Sequence, residues 1–329
     1  VDDHSTTGIL DEFQTDLVDS WRRLPNKGFF FGLLLAWLAL FQVVGNSTFG
    51  YLDTPSLLKW IFLLGSAHSA EGETDDNQML IAPLVVIGLF WWKRKELLNQ
   101  PMRLWWPGLL LVGLGLMLHI AGYRIQQPRV SIVALFVGVY GLMALAWGPK
   151  LVRASVFPFF LFMFCVPVGR QAQMITVPLR ILVARIVEWI AKVFHMGVLR
   201  QGTQLIDAQG HFQYEVAAAC GGIRSLVVIT MVAIVVGFVT VRSVPKRLVL
   251  IALAAPLAVA GNVIRLMLII IAAKIWGQDA GLYVHDGGPG GIIVLIPYML
   301  ALFVLMWVAA RMSKNPRQDK TPALAEVAA

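Results

Sequence analysis

EVAAACGGIRSL, residues 215–226, ends a polar segment and leads into an apolar run, residues 223–241, long enough for a membrane helix. Cys220 therefore stands where the chain passes from water into lipid. Gly221 and Gly222 follow it and offer two backbone amides without side chains. A thiol at the N-terminus of a helix feels the positive end of the macrodipole, which favours the thiolate. Two later features bear on this spot. One is Asn262-Val263-Ile264-Arg265, inside the next apolar run. The other is His285, with Asp286, in the loop beyond it.

The composition around this stretch sets the fold class. Of 329 residues, 58% are hydrophobic and only 14% charged, against about 25% charged in a soluble domain. Apolar runs near 20 residues recur, which predicts an all-α polytopic membrane protein with about eight transmembrane helices. The expected spans are residues 29–49, 79–92, 105–123, 130–147, 155–168, 223–241, 248–275 and 290–310. A kink is expected in the seventh, at Pro256 and Gly261. Residues 1–28 read as a polar tail, 29–312 as the membrane domain, and 313–329 as a disordered tail. The N-terminus is polar and acidic, so the first span is expected to act as an uncleaved signal.

Residues 177–193 differ from the spans. They are apolar but carry Arg180, Arg185, Glu188 and Lys192 within one broad helical sector, the pattern of an amphipathic helix lying in the interface. The chain then alternates and turns at Asp207-Ala208-Gln209-Gly210. This predicts a β-hairpin of residues 198–206 and 211–216, placed just before Cys220.

The net charge of +8 gathers in short loops, which points to membrane orientation rather than nucleic acid. With the N-terminus in the cytoplasm, five basic clusters share that side: Arg22/Arg23/Lys27, Lys93/Arg94/Lys95, Lys150/Arg153, Arg242/Lys246/Arg247 and Arg311/Lys314/Arg317. The C-terminus is then cytoplasmic too. The hairpin, Cys220 and the His285 loop fall on the extracytoplasmic face of the cytoplasmic membrane. This holds if residues 177–193 do not cross. Arg265 lies about 17 residues, or ~26 Å, into the seventh span, near its outer edge.

A cysteine, an arginine and a histidine from separate segments thus meet at one depth. Thiol chemistry needs a thiolate, a proton carrier and a group that holds the oxyanion. Cys220 suits the first role. His285, with an ordinary pKa of ~6.5, suits the second. Arg265 does not act as a base and suits stabilisation of the thiolate or oxyanion. The amides of Gly221 or Gly222 are further oxyanion donors. Arg224, one turn after Cys220, suits a substrate carboxylate or a pairing with Asp286. Asn262, one turn before Arg265, suits holding it by a hydrogen bond. Taken singly, each has a plainer reading: Cys220 as a small buried hydrophobe, Arg265 as a snorkelling cation, His285 as a loop residue. Cys165, in a Phe-rich run, reads as packing. His4, His68, His119, His195 and His211 read as structural or incidental. Trp91, Trp92, Trp105 and Trp106 read as interfacial belt residues. Neither cysteine belongs to a C-x-x-C pair, so no metal or other cofactor is expected.

AAACGGIRSL, then GNVIRL, then VHDGGPGG, resembles the exosortase/archaeosortase family, whose pattern is a Cys-[Ser/Ala]-Gly-Ile-x-Ser-Leu block, an Asn-x-x-Arg block and a His near the last span. Gly221 stands where the family usually has Ser or Ala. The resemblance implies a membrane transpeptidase-like cysteine protease with Cys220, Arg265 and His285 as catalytic residues. Its implied partners are surface proteins with a C-terminal tail of a short motif such as Pro-Glu-Pro, a transmembrane helix and a basic cluster. A lipid-linked or amine acceptor would receive the product. Two rival classes are a transporter of an anionic solute, using Arg265 and Arg224, and a non-catalytic factor for surface-polysaccharide assembly. A thiol oxidoreductase is disfavoured, because Cys165 and Cys220 are not close partners.

Overall fold

The computed structural model describes residues 4–47, 54–66, 78–167, 173–210, 212–215, 223–286 and 291–313. The chain divides into two compact units, the first ending at Pro167.

The first unit holds α1 (His4–Arg23), α2 (Lys27–Val43), α3 (Leu57–Ser66), α4 (Gln78–Trp92), α5 (Arg94–Leu98), α6 (Gly108–Arg124), α7 (Pro128–Trp147) and α8 (Pro149–Phe160). Its axis is the antiparallel pair α6–α7. Lipid tails are as apolar as leucine, so membrane helices associate by close packing, which small residues permit. Gly108, Gly115 and Gly122 recur every seventh residue along α6. A Cβ on Gly115 would stand 2.9 Å from the amide nitrogen of Gly138, and one on Gly122 would stand 2.9 Å from the Ser131 hydroxyl. Trp37 of α2 packs over Gly138, and its indole N–H donates to the Leu135 carbonyl at 3.1 Å. His119 is buried with both ring nitrogens engaged, Nδ1 with Ser131 Oγ at 3.1 Å and Nε2 with the Val44 carbonyl at 2.9 Å.

Among the described residues, three helical stretches are long and apolar enough to cross, against the eight expected: Pro128–Trp147, Val244–Trp276 and Ile296–Ser313. A fourth forms if Asp11–Arg23 and Lys27–Val43, bent by 92°, count together. α4 has 15 residues and α6 has 17, about 22 and 26 Å at 1.5 Å per residue, short of a ~30 Å hydrocarbon core. The expected fifth span is instead the 12-residue α8, followed by a 3-10 turn, Leu161–Cys165. Pro158, inside α8, removes a backbone donor near that change of pitch.

The second unit holds α9 (Gln173–Val193), β1 (Val198–Gln201), β2 (Gln204–Asp207), β3 (Gln213–Glu215), α10 (Ile223–Thr240), α11 (Val244–Trp276), α12 (Gln278–Asp286) and α13 (Gly291–Ser313). Where a two-stranded hairpin was expected, the strands form a three-stranded antiparallel meander. Val198 faces Asp207, and Leu205 faces both Arg200 and Tyr214. The first expected strand is split by a two-residue turn that opens on Gly202, at φ 63°, a conformation glycine adopts without steric cost.

α9 is amphipathic, but its faces fall differently from expectation. Val183, Ala184, Val187 and Ala191 form a stripe buried against the sheet and α11. Arg180, expected on the charged sector, lies at i−4 from Ala184 and i−7 from Val187, in the middle of that stripe. Leu182, Trp189 and Val193, on the far side, stay exposed.

α11 organises this unit. Its 33 residues extend about 50 Å, well beyond one hydrocarbon thickness. It runs as one helix through Pro256. Two separate cores share it. Leu250, Ala254 and Ala258 pack with α10 and α13. Val263, Leu266, Ile269, Ile270 and Ala273 pack with α9 and the sheet. Asn262 and Arg265 sit at the junction.

Candidate functional site

Helix registers around that junction follow from close approaches. α10 and α11 are joined by three residues and pack antiparallel. Gly237 faces Leu250 and Arg247, with a Cβ on it 3.4 Å from Leu250 Cδ2. Moving back along α10 from Gly237 to Ile223 matches an equal advance along α11, from 247–250 to 261–264. The start of α10 is therefore level with Asn262 and one turn or less from Arg265. Cys220, Gly221 and Gly222 precede α10 and lie outside the described residues. Arg224 is the second residue of α10, and its side chain also lies outside them.

α12 brings a third segment to the same end. The chain reverses at Gly277, φ 90°, and α12 packs back on α11, with Gly281 against Ala273. Position 285, four residues on, is then about level with Ile269, ~6 Å along the axis from Arg265. The side chains of His285 and Asp286 lie outside the described residues, so the backbone alone fixes their place, in the last turn of α12.

Of the expected site residues, Arg265 and Asn262 are described with their side chains. Asn262 is 1% exposed. Arg265 is half-buried, and its Nη1 donates to the Tyr298 hydroxyl at 3.4 Å. Tyr298 stands on α13, where the helix passes Gly261: a Cβ there would sit 3.4 Å from Tyr298 Cδ1. Sequence reasoning missed Tyr298. The signal was available, since a phenol inside an apolar run needs a polar partner.

The sheet fixes α12 through two contacts that sequence reasoning also missed. The Tyr214 hydroxyl donates to the Gln278 carbonyl at 2.6 Å, and its ring lies over Gly281, where a Cβ would overlap the hydroxyl. Burial, and then the Asp279 carboxylate, raise the Tyr214 pKa above the ordinary phenol value. The phenol thus remains a donor across the physiological range. Lys274 pairs with Asp207 at 2.6 Å, and the Asp207 side chain is fully buried. Tyr214 comes six residues before Cys220, so one strand both leads toward the cysteine and braces the helix carrying position 285.

The far edge of the sheet is held to α9. Glu188 accepts from Lys192 at 2.9 Å and from Arg200 at 3.0 Å. The Lys192 hydrogen bond, ahead of the Arg200 contact, draws the Glu188 carboxyl below its usual range. Among the described residues, no three His, Cys, Asp or Glu side chains gather closely enough to hold a metal.

Residues 69–308 match the transmembrane exosortase family (Exosortase_EpsH). The chain belongs to that family. The matched range takes in Cys220, Asn262, Arg265 and His285, and it makes this exosortase-family chain a multi-pass membrane protein. Comparison with curated proteins and with solved structures yields no match.

Proposed function

We propose that this exosortase-family chain is a membrane-embedded cysteine protease or transpeptidase. It would cleave the C-terminal sorting signal of surface proteins, of the PEP-CTERM type, at the extracytoplasmic boundary of the cytoplasmic membrane. The observation that carries this reading is the shared level of three segments: the start of α10, the Asn262–Arg265 turn of α11, and the last turn of α12. Family membership supports the same chemistry.

In this mechanism Cys220, as a thiolate, attacks the scissile carbonyl. The tetrahedral oxyanion is held by the Arg265 guanidinium, with the amides of Gly221 or Gly222 as further donors. Tyr298 positions Arg265. The C–N bond breaks, a C–S thioester forms, and His285 delivers the thiol-derived proton to the departing amine. An acceptor amine or water then attacks the thioester and releases Cys220. Arg224 is a candidate for an acidic residue of the motif or for a pairing with Asp286, and Asn262 supports the Arg265 turn. No cofactor takes part in these steps.

The test is co-expression with a tagged surface protein carrying such a tail. Wild type should shorten the tagged protein, and Cys220→Ala at equal membrane levels should not. Unchanged processing by Cys220→Ala would remove Cys220 as nucleophile and, with it, this mechanism.

A further inference from the structure

The first unit carries a groove of about 540 Å³ beneath α1, walled by side chains that include Leu17, Trp21, Phe31, Ile87, Trp91 and Met143. We propose that this groove holds an acyl chain of an anionic phospholipid, with the phosphate among Arg22, Arg23 and Lys27.

The groove exists because α1 is pinned at its C-terminal end and again near its middle, and left unsupported between them. At one end α1 and α2 meet at 92°, across Asn26 in a left-handed conformation, φ 54°. That elbow is tied to the end of α7. Asn26 Nδ2 donates to the Ala146 carbonyl at 3.1 Å, and the Trp147 indole donates to the Pro25 carbonyl at 2.8 Å. Near the middle of α1, Arg94 pairs with Asp16, and the rings of Phe13 and Trp91 lie 4.8 Å apart. Leu17, Trp21 and Leu24, at i, i+4 and i+7, then face the space between. The protein does not fill it: Leu17 is 48% exposed, Trp21 50% and Ile87 63%. In a chain that spans a bilayer, such apolar walls suit hydrocarbon rather than water.

Size selects the occupant. Leu17 to Leu24 covers only about 10 Å of α1, a short stretch for a partner helix to lie along, whereas a flexible acyl chain can bend into it. Charge selects the headgroup. Arg22, Arg23, Lys27, Lys95, Arg103 and Lys150 flank the wall positions in sequence. Two nearby carboxylates are already engaged, Asp16 by Arg94 and Glu96 by Lys93. Asp19 is the remaining acidic side chain of the α1 wall segment. Lys27 is already turned toward the groove mouth: its Nζ donates to the Trp21 carbonyl at 2.9 Å and stands 5.1 Å from the Trp21 ring centre. Basic residues beside an interfacial helix attract anionic lipid.

The experiment uses the full chain in mild detergent. Native mass spectrometry would follow added phosphatidylglycerol and phosphatidylcholine of the same acyl length. The expected result is a phosphatidylglycerol adduct that forms at about tenfold lower concentration than the phosphatidylcholine adduct. That preference should shrink as salt rises. Ile87→Trp, which fills the groove from an exposed position, should abolish the adduct and leave the Tm of the lipid-free protein unchanged. Arg22→Glu with Arg23→Glu should bring phosphatidylglycerol down to the phosphatidylcholine level. Equal binding of the two lipids by wild type would overturn the headgroup assignment. Retention of the adduct in Ile87→Trp would move the lipid elsewhere. A dimer that Ile87→Trp dissolves would make the occupant a second copy of the chain.

Discussion

Arg180 shows how one residue can be misplaced when its helix is read alone. A wheel groups it with Arg185, Glu188 and Lys192, because their angles span one sector. The packing of α9 puts the buried stripe along Val183, Ala184, Val187 and Ala191, and Arg180 continues that stripe. Its Nε is buried and has no hydrogen-bond partner among the described residues. An unsatisfied buried donor costs about 1–3 kcal/mol. Arg180→Met keeps the chain length and drops the polar group, so it should raise stability by ~1 kcal/mol, read as a higher midpoint in thermal unfolding. A lower midpoint would show that the guanidinium is engaged after all. Glu188, two turns on, gives a signed pH effect. Its folded carboxyl titrates below its unfolded value, so its contribution is present above the unfolded pKa of 4.5. That contribution is lost as pH falls through the folded pKa. Wild type should exceed Glu188→Gln in Tm at neutral pH, and the two should converge on acidification. A constant gap would assign the difference to packing instead of charge.

At the scale of elements, α12 is a short piece whose position depends on close packing at Gly281. It is nine residues long, too short to persist on its own propensity. It is held by the α11 flank and by Tyr214 lying on Gly281. Gly281→Ala drives a methyl into the Tyr214 hydroxyl, so the ring or the helix must move. We expect processing of a tagged substrate to fall at least tenfold, with a Tm loss of only about 1–2 kcal/mol equivalent. Adding Tyr214→Phe removes the hydroxyl that clashes and should recover part of the activity. No recovery would mean that Gly281 matters for another reason. α6–α7 offers the contrasting case. Gly115→Leu meets backbone, not a movable side chain, and should lower stability by about 1–3 kcal/mol wherever the active residues lie.

These elements were legible in the sequence to unequal degrees. Apolar runs announced most helices, α10 among them. Periodicity could not tell which apolar runs are long enough to cross, because α6 at both ends and α4 at its C-terminal end stop at flanking turns and cations. The split strand turned on the φ of Gly202. Tyr298 could be flagged as a phenol in an apolar run, but its pairing with Arg265, like the Lys274–Asp207 pair, was hidden because each joins segments far apart in the chain, and spacing carries information only along one element.

For the whole molecule, α11 bears directly on which way the chain runs through the bilayer. A helix of about 50 Å outruns the ~30 Å hydrocarbon core by some 20 Å. One end must therefore project, and the two ends differ in what surrounds them. The first residues carry Lys246 and Arg247, and this end packs with α10 and α13. The last turns carry a water-compatible sheet, a buried ion pair and α12. The sheet end is the one suited to project into water, and the positive-inside rule gives the basic end to the cytoplasm. Single cysteines in a Cys165→Ala, Cys220→Ala background should report this directly. Gln209→Cys, in the exposed β2–β3 turn, should react with a membrane-impermeant maleimide added to intact cells. Lys95→Cys should react only after the membrane is opened. The reverse pattern would put the sheet, and the thiol chemistry proposed next to it, in the cytoplasm, where a surface protein already moved across the membrane could not be processed.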